Sequence, residues 1–167
     1  MADPARVTGG VVPRIFASWR RPGTVVRGLR PMPEGALLVV LMAAMLIFLI
    51  AQAPGHARAA VEDPSIPLGG RIAGAVMAVM FIVPLLAYAV AAAAGFLAGL
   101  AGWRIAPDDS RLALFWALFA AAPAVLLSGL VAGLIGPGVA LNVTSIIAGL
   151  GFLFIWGAGF RALSERA

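Results

Sequence analysis

The chain contains no cysteine and no lysine. Without thiols it can form no disulfide, offers no thiolate nucleophile or thiolate metal ligand, and leaves its redox compartment unmarked. Charge of either sign is scarce. Only 11% of the 167 residues are Asp, Glu, Lys or Arg, and 62% are hydrophobic, whereas soluble domains run near ~25% charged and ~45–50% apolar. That composition points to a membrane, and the length points to one domain. The positive charge is carried by arginine alone, apart from the lone His56, and gives a formal net charge of +5.

Four apolar runs are long enough to cross a hydrocarbon core, which takes roughly 20 residues. They cover 35–52 (GALLVVLMAAMLIFLIAQ), 72–103, 112–135 and 139–160. The second is too long for one straight span and too short for two with a turn. It is read as one span, tilted or kinked at Pro84, with an end outside the membrane. Pro123 sits midway along the third span and is expected to bend it likewise. The expected fold class is therefore all-α, a polytopic transmembrane helical bundle of four spans. Residues 1–34 form an Arg-rich amphipathic lead, 35–160 the four-helix domain and 161–167 a short tail.

With four spans, both termini lie on one side. That side carries Arg6, Arg14, Arg20, Arg21, Arg27, Arg30, Arg104, Arg111, Arg161 and Arg166, while the other carries Arg58 and Arg71. This asymmetry follows the positive-inside rule and puts both ends in the cytoplasm of a bacterial inner membrane. Five spans would strand the two C-terminal arginines on the wrong side. Trp103, Trp116 and Trp156 fall near helix ends or outer turns, as an aromatic belt requires, although packing between helices explains Trp116 and Trp156 equally well.

The lead FASWRRPGTVVRGLRPMPEG begins at Phe16. Ile15, Phe16 and Trp19 share one helical face beside Arg14, Arg20 and Arg21. Pro22-Gly23 then breaks the helix, and Val25, Val26 and Leu29 make a second apolar face beside Arg27 and Arg30. The expectation is an interfacial amphipathic element, its apolar side in the headgroups and its arginines on anionic phospholipid. Trp19, Arg20, Arg21, Arg27 and Arg30 are the candidate contacts for lipid or, as the alternative, for a soluble partner docking on this segment; within the membrane a protein partner or a homo-oligomer is expected. A cleaved signal peptide ending at Ala51–Ala53 is disfavoured by the long segment ahead of it and by Pro54 after the cut. A nucleic-acid arm lacks any accompanying motif.

The spans hold little polarity: Tyr88, Ser128, Asn142, Thr144 and Ser145, with no Asp, Glu, Lys, Arg or His at depth. Proton relays and ion pathways need such groups, and intramembrane aspartyl or Ser–His proteolysis lacks its parts. Asn142, Thr144 and Ser145 read as a cap or an interhelical hydrogen bond at the start of the fourth helix. In the first connection, His56, Glu62 and Asp63 match no metal-ligand spacing, and Pro64, Pro67, Gly69 and Gly70 argue against a continuous helix. In the second, Asp108, Asp109 or Ser110 is placed to cap the third span. Gly70–Gly74, Gly95–Gly99 and Gly129–Gly133 fit the small-xxx-small spacing of close helix packing. Gly95, Gly99, Gly129, Gly133, Pro84, Pro123 and Asn142 are accordingly the expected packing positions. No cofactor or metal is expected.

Three stretches together resemble a known family. SWRRPGTVVRGLR precedes the first span, DPSIPLGGRIAGA enters the second, and RLALFWALFAAAPAVLLSGLVAGLIGPG forms the third. They resemble bacterial members of the Yip family, the Ypt/Rab-interacting membrane proteins, over residues 16–159. The resemblance implies a non-enzymatic helical membrane protein and supplies no catalytic residues. Eukaryotic members bind small GTPases in trafficking membranes. They have typically one span more than the four read here and a longer cytoplasmic lead, so GTPase binding is not carried over. The functional expectation is a scaffold, assembly factor or accessory subunit in the membrane, with no nucleic-acid partner; a small oligomeric transporter or permease component is the alternative.

Overall fold

The computed structural model describes residues 10–166. Arg6, counted above among the arginines of the lead, lies outside the described residues. The chain is helical almost throughout: α1 (Val11–Ser18), α2 (Pro22–Arg27), α3 (Glu34–Glu62), α4 (Leu68–Met77), α5 (Val83–Leu100), α6 (Pro107–Ala120), α7 (Ala122–Leu134) and α8 (Val139–Leu163). A single π turn, Ala78–Ile82, joins α4 to α5. Two short strands, β1 (Trp103–Arg104) and β2 (Glu165–Arg166), pair antiparallel and tie the connection after α5 to the C-terminus.

Three helical stretches are long and apolar enough to cross a membrane: Glu34–Glu62, Leu68–Leu100 and Val139–Leu163. The pair α6–α7, bent by 42°, makes a fourth if counted as one span. Most large apolar side chains on α5 and α8, such as Leu85, Leu97, Ile146 and Leu150, face outward, as expected where lipid replaces water around the bundle. The exception is α6. Leu112, Phe115, Trp116, Ala117 and Ala120 are all buried, because α6 packs against α3, α5 and α8 with α2 across its side. Leu37, Leu41, Ala44 and Met45 of α3 and Ile155 of α8 complete this core.

The first span, α3, runs ten residues past the expected end at 52, through Pro54. Two features hold the extension. Arg58 pairs with Glu62 one turn on, at 2.8 Å, and Arg58 Nη1 also donates to the Gly133 carbonyl of α7. The side chain of Pro54 lies against Gly133. The second span likewise starts early, at Leu68, so Gly69 and Gly70 are helical rather than turn residues. Pro67 supplies the extended N-cap, and Arg71 bonds back to the Ile66 and Asp63 carbonyls. Ser65 and Arg71 hold the Asp63 carboxyl below the usual carboxylate range.

The two prolines expected to bend their spans differ: only the run holding Pro123 is bent by more than 40°, while Leu68–Leu100 continues as one span through Pro84. Pro84 follows the π turn, where the wider winding accommodates a ring that carries no N–H. Pro123 opens α7 directly after the bend at Ala121. Among the glycines, Gly129 and Gly133 are true packing positions: a Cβ there would overlap the backbone of Ala51 and Pro54 on α3. Gly95 makes only ordinary contact with Ser110 and Ile105, and Gly99 and Gly74 face open space. The Gly95–Gly99 spacing therefore corresponds to no close helix crossing through Gly99. Asn142 is also corrected. It lies exposed on α8 beside the exposed Val139 and Val143, and makes no side-chain hydrogen bond among the described residues. Thr144 instead bonds back to the Ala140 carbonyl of its own helix.

Gly129→Leu is expected to lower stability in detergent by about 1–3 kcal/mol or more, the cost of overpacking a tight contact. Gly99→Leu, made on the same spacing pattern, should leave the melting temperature unchanged. Thermal unfolding of the two purified variants, followed by circular dichroism, checks this.

Candidate functional site

The lead, the connection after α5 and the C-terminus meet at one end of the bundle, and most arginines gather there. The lead is expected to lie in the headgroups, but its inner side is built into the protein. Ile15 and Ser18 of α1 and Val25 and Val26 of α2 are buried. α2 lies along α8, where glycines make room for it. A Cβ on Gly159 would sit 3.2 Å from the Val26 side chain, and one on Gly151 would collide with the Trp19 ring. The outward face of α1 carries Val11, Val12 and Phe16. Of the expected apolar face, only Phe16 is left for lipid.

Trp19 is thus corrected from a lipid contact to a packing residue, and hydrogen bonding explains why. At the α6–α7 bend, Pro123 brings no N–H, and the Ala124 N–H bonds to Ala121 rather than to Ala120. The Ala120 carbonyl is left for another donor, and Trp19 Nε1 supplies it at 3.0 Å. Its neighbour Ser18 completes a second link: Trp116 Nε1 donates to Ser18 Oγ at 2.9 Å, and Ser18 Oγ donates to the Arg14 carbonyl at 2.8 Å. Two indole N–H groups are satisfied this way inside an apolar bundle, where an unmade hydrogen bond is expensive.

Charged groups bind the same segments closer to the surface. Arg30 meets Asp109 at 2.6 Å. Arg111 pairs with both Asp108 and Glu34, the latter at 3.0 Å. Tyr88 donates to Glu34 at 2.7 Å, and its ring lies 5.8 Å from the Arg111 guanidinium carbon. Asp108, Asp109 and Ser110 make no side-chain cap on α6. Pro107 occupies its first turn, the two acids face arginines, and Ser110 Oγ donates to the Ala91 carbonyl of α5 at 2.6 Å. Each acid of this cluster thus has a cationic partner, and the cluster joins the lead, α3, α5 and α6.

The expected contact arginines divide into two groups. Arg27 Nε donates to the Ala162 carbonyl in the last turn of α8, where a cation is favoured by the helix dipole, and Arg30 holds Asp109. Both are structural. Arg20 and Arg21 are exposed and paired with no acid among the described residues, as are Arg104 and Arg161 at the same end. At the opposite end, Arg58 and Arg71 are both bound to acids. No group of three or more His, Asp or Glu able to hold a metal occurs among the described residues. Sequence reasoning missed Ser18, Glu34 and the glycine stripe of α8. The i, i+4 spacing of Arg58 and Glu62 was a usable signal once α3 was continued through Pro54. No protein-family model, curated protein or solved structure matches the chain.

Trp19→Phe removes one hydrogen bond and is expected to cost about 1 kcal/mol. Trp19→Ala also empties the space over Gly151 and should cost about 3–5 kcal/mol. Limited trypsin digestion provides the readout, since release of the lead exposes the bond between Arg27 and Gly28. Faster cleavage in Trp19→Ala than in wild type is the expected result. Arg30→Gln leaves the buried Asp109 carboxylate without its partner and should destabilise by about 1–3 kcal/mol, while Arg20→Gln should not change the melting temperature.

Proposed function

We propose that this chain is a non-enzymatic, four-span protein of a bacterial inner membrane, with both termini cytoplasmic. It acts as a scaffold, assembly factor or accessory subunit of Yip type. One observation carries this reading: the distribution of unpaired charge. Arg20, Arg21, Arg104 and Arg161 stand exposed at one end of the bundle and pair with no acid among the described residues, while the two arginines of the other end are neutralised by Glu62 and Asp63. A collar of free guanidinium groups at one end suits the anionic cytoplasmic leaflet, each worth about 1 kcal/mol near the surface. It also suits the acidic face of a membrane partner. The α6–α7 pair is taken as one broken span, and the likeness to Yip proteins rests on the three stretches quoted above.

The absence of native cysteine makes topology directly measurable. Ser65→Cys and Ala106→Cys place single thiols in the first and second connections. A membrane-impermeant maleimide added to intact spheroplasts is expected to label Ser65→Cys and spare Ala106→Cys until the membrane is opened. The reverse pattern overturns the orientation, and equal labelling overturns the span count.

For the collar, Arg20→Gln and Arg21→Gln together test contact without disturbing the structural arginines. The double variant should keep its melting temperature and lose co-purification of a stoichiometric partner from native membranes. It should also weaken binding of the purified protein to vesicles containing phosphatidylglycerol. Unchanged partner recovery together with unchanged vesicle binding would sink the proposal.

A further inference from the structure

Helices α5 and α8 flank α6 but pack little against each other. Between their C-terminal halves runs an open groove of about 610 Å³, within the ~300–1,000 Å³ usual for ligand sites. Leu97 of α5 and Trp156, Gly157 and Phe160 of α8 line it, and Trp103 and Arg161 stand towards its charged end. No acid among the described residues lines this groove. Glu165 lies opposite Arg104 in the β1–β2 ladder and lines a neighbouring cavity with Arg30 and Asp109. Arg161 has no carboxylate partner among the described residues. The groove is thus apolar along its length and cationic at one end, with an aromatic ring beside the charge.

We infer that this groove binds one molecule of an acidic phospholipid, an acyl chain lying between α5 and α8 and the phosphate meeting Arg161. The inference rests on the membrane reading above and adds a defined lipid site to it. Charge decides the occupant. A second copy docking through this face would be related by a two-fold axis along the membrane normal, which brings the same patch of both chains together. The two Arg161 side chains would then meet at one depth with no acid between them. A lipid phosphate supplies the missing negative charge, and its chain fills an apolar channel that already opens to the bilayer. Tryptophan beside an arginine suits the headgroup boundary, where an indole is half in apolar surroundings.

Gly157 offers a clean way to close the groove, since a Cβ there meets no atom within 4 Å. Gly149, on the same helix and equally open, lies outside it and serves as control. The full-length protein in mild detergent would be titrated with phosphatidylglycerol or with phosphatidylcholine of the same acyl chains, and bound lipid counted by native mass spectrometry. One phosphatidylglycerol per chain should be retained in preference to phosphatidylcholine. Arg161→Gln should weaken that retention roughly fivefold, the effect of about 1 kcal/mol per arginine at an anionic surface. Gly157→Leu should abolish it, and Gly149→Leu should leave it intact. Equal retention of the two lipids, or full retention in Gly157→Leu, overturns the site. So does a wild-type dimer that Gly157→Leu dissociates, which would give the groove to a second copy. Resistance of the same protein to alkaline extraction from membranes is measured in parallel, so that failure of the lipid site stands apart from failure of the membrane reading.

Discussion

The architecture depends on one hydrogen bond problem and its solution. A proline two residues into α7 breaks the ladder of the third apolar run, and the carbonyl of Ala120 is left over inside the bundle. Hydrocarbon offers no donor, so the protein must provide one. It does so from the far end of the sequence, through the indole of Trp19. That requirement draws α1 inward, places Ser18 under Trp116, and turns Val25 and Val26 of α2 onto α8. An amphipathic lead that could lie flat on a membrane becomes instead an integral wall around α6.

Close approach between these elements is possible because small residues stand where they cross. In lipid there is little hydrophobic gain from pressing two helices together, so contact area and hydrogen bonds must supply the attraction. Gly129 and Gly133 let α7 meet the backbone of α3, and Gly151 and Gly159 receive Trp19 and Val26. The same residue type elsewhere, as at Gly99, meets nothing. A glycine spacing is a licence for contact; the facing helix decides whether it is used.

Charge is organised by the same geometry. Acids are few, and in the junction between the lead, α3, α5 and α6 each is matched to an arginine: Asp109 to Arg30, and Glu34 and Asp108 to Arg111. Matching consumes the arginines closest to the bundle. Those farther out, Arg20, Arg21, Arg104 and Arg161, remain available to lipid or a partner. The surplus of arginine at one end thus serves two purposes, structural within and interactive without, and individual residues belong to one or the other.

By itself the sequence determined the helical, membrane-type character of the chain, the apolar runs, the gathering of arginine at one end and the bend near Pro123. These follow from composition, run length and the chemistry of proline, which are local properties. It did not determine that α3 continues through Pro54, since that helix is held by Arg58–Glu62 and by its fit to Gly133. Nor did it determine that Trp19 points into the protein. The tertiary structure decided these, along with which glycines pack and which arginines are free. Each depends on what stands opposite a residue across the bundle, and a carbonyl stranded at a bend can be answered by a side chain 101 positions away.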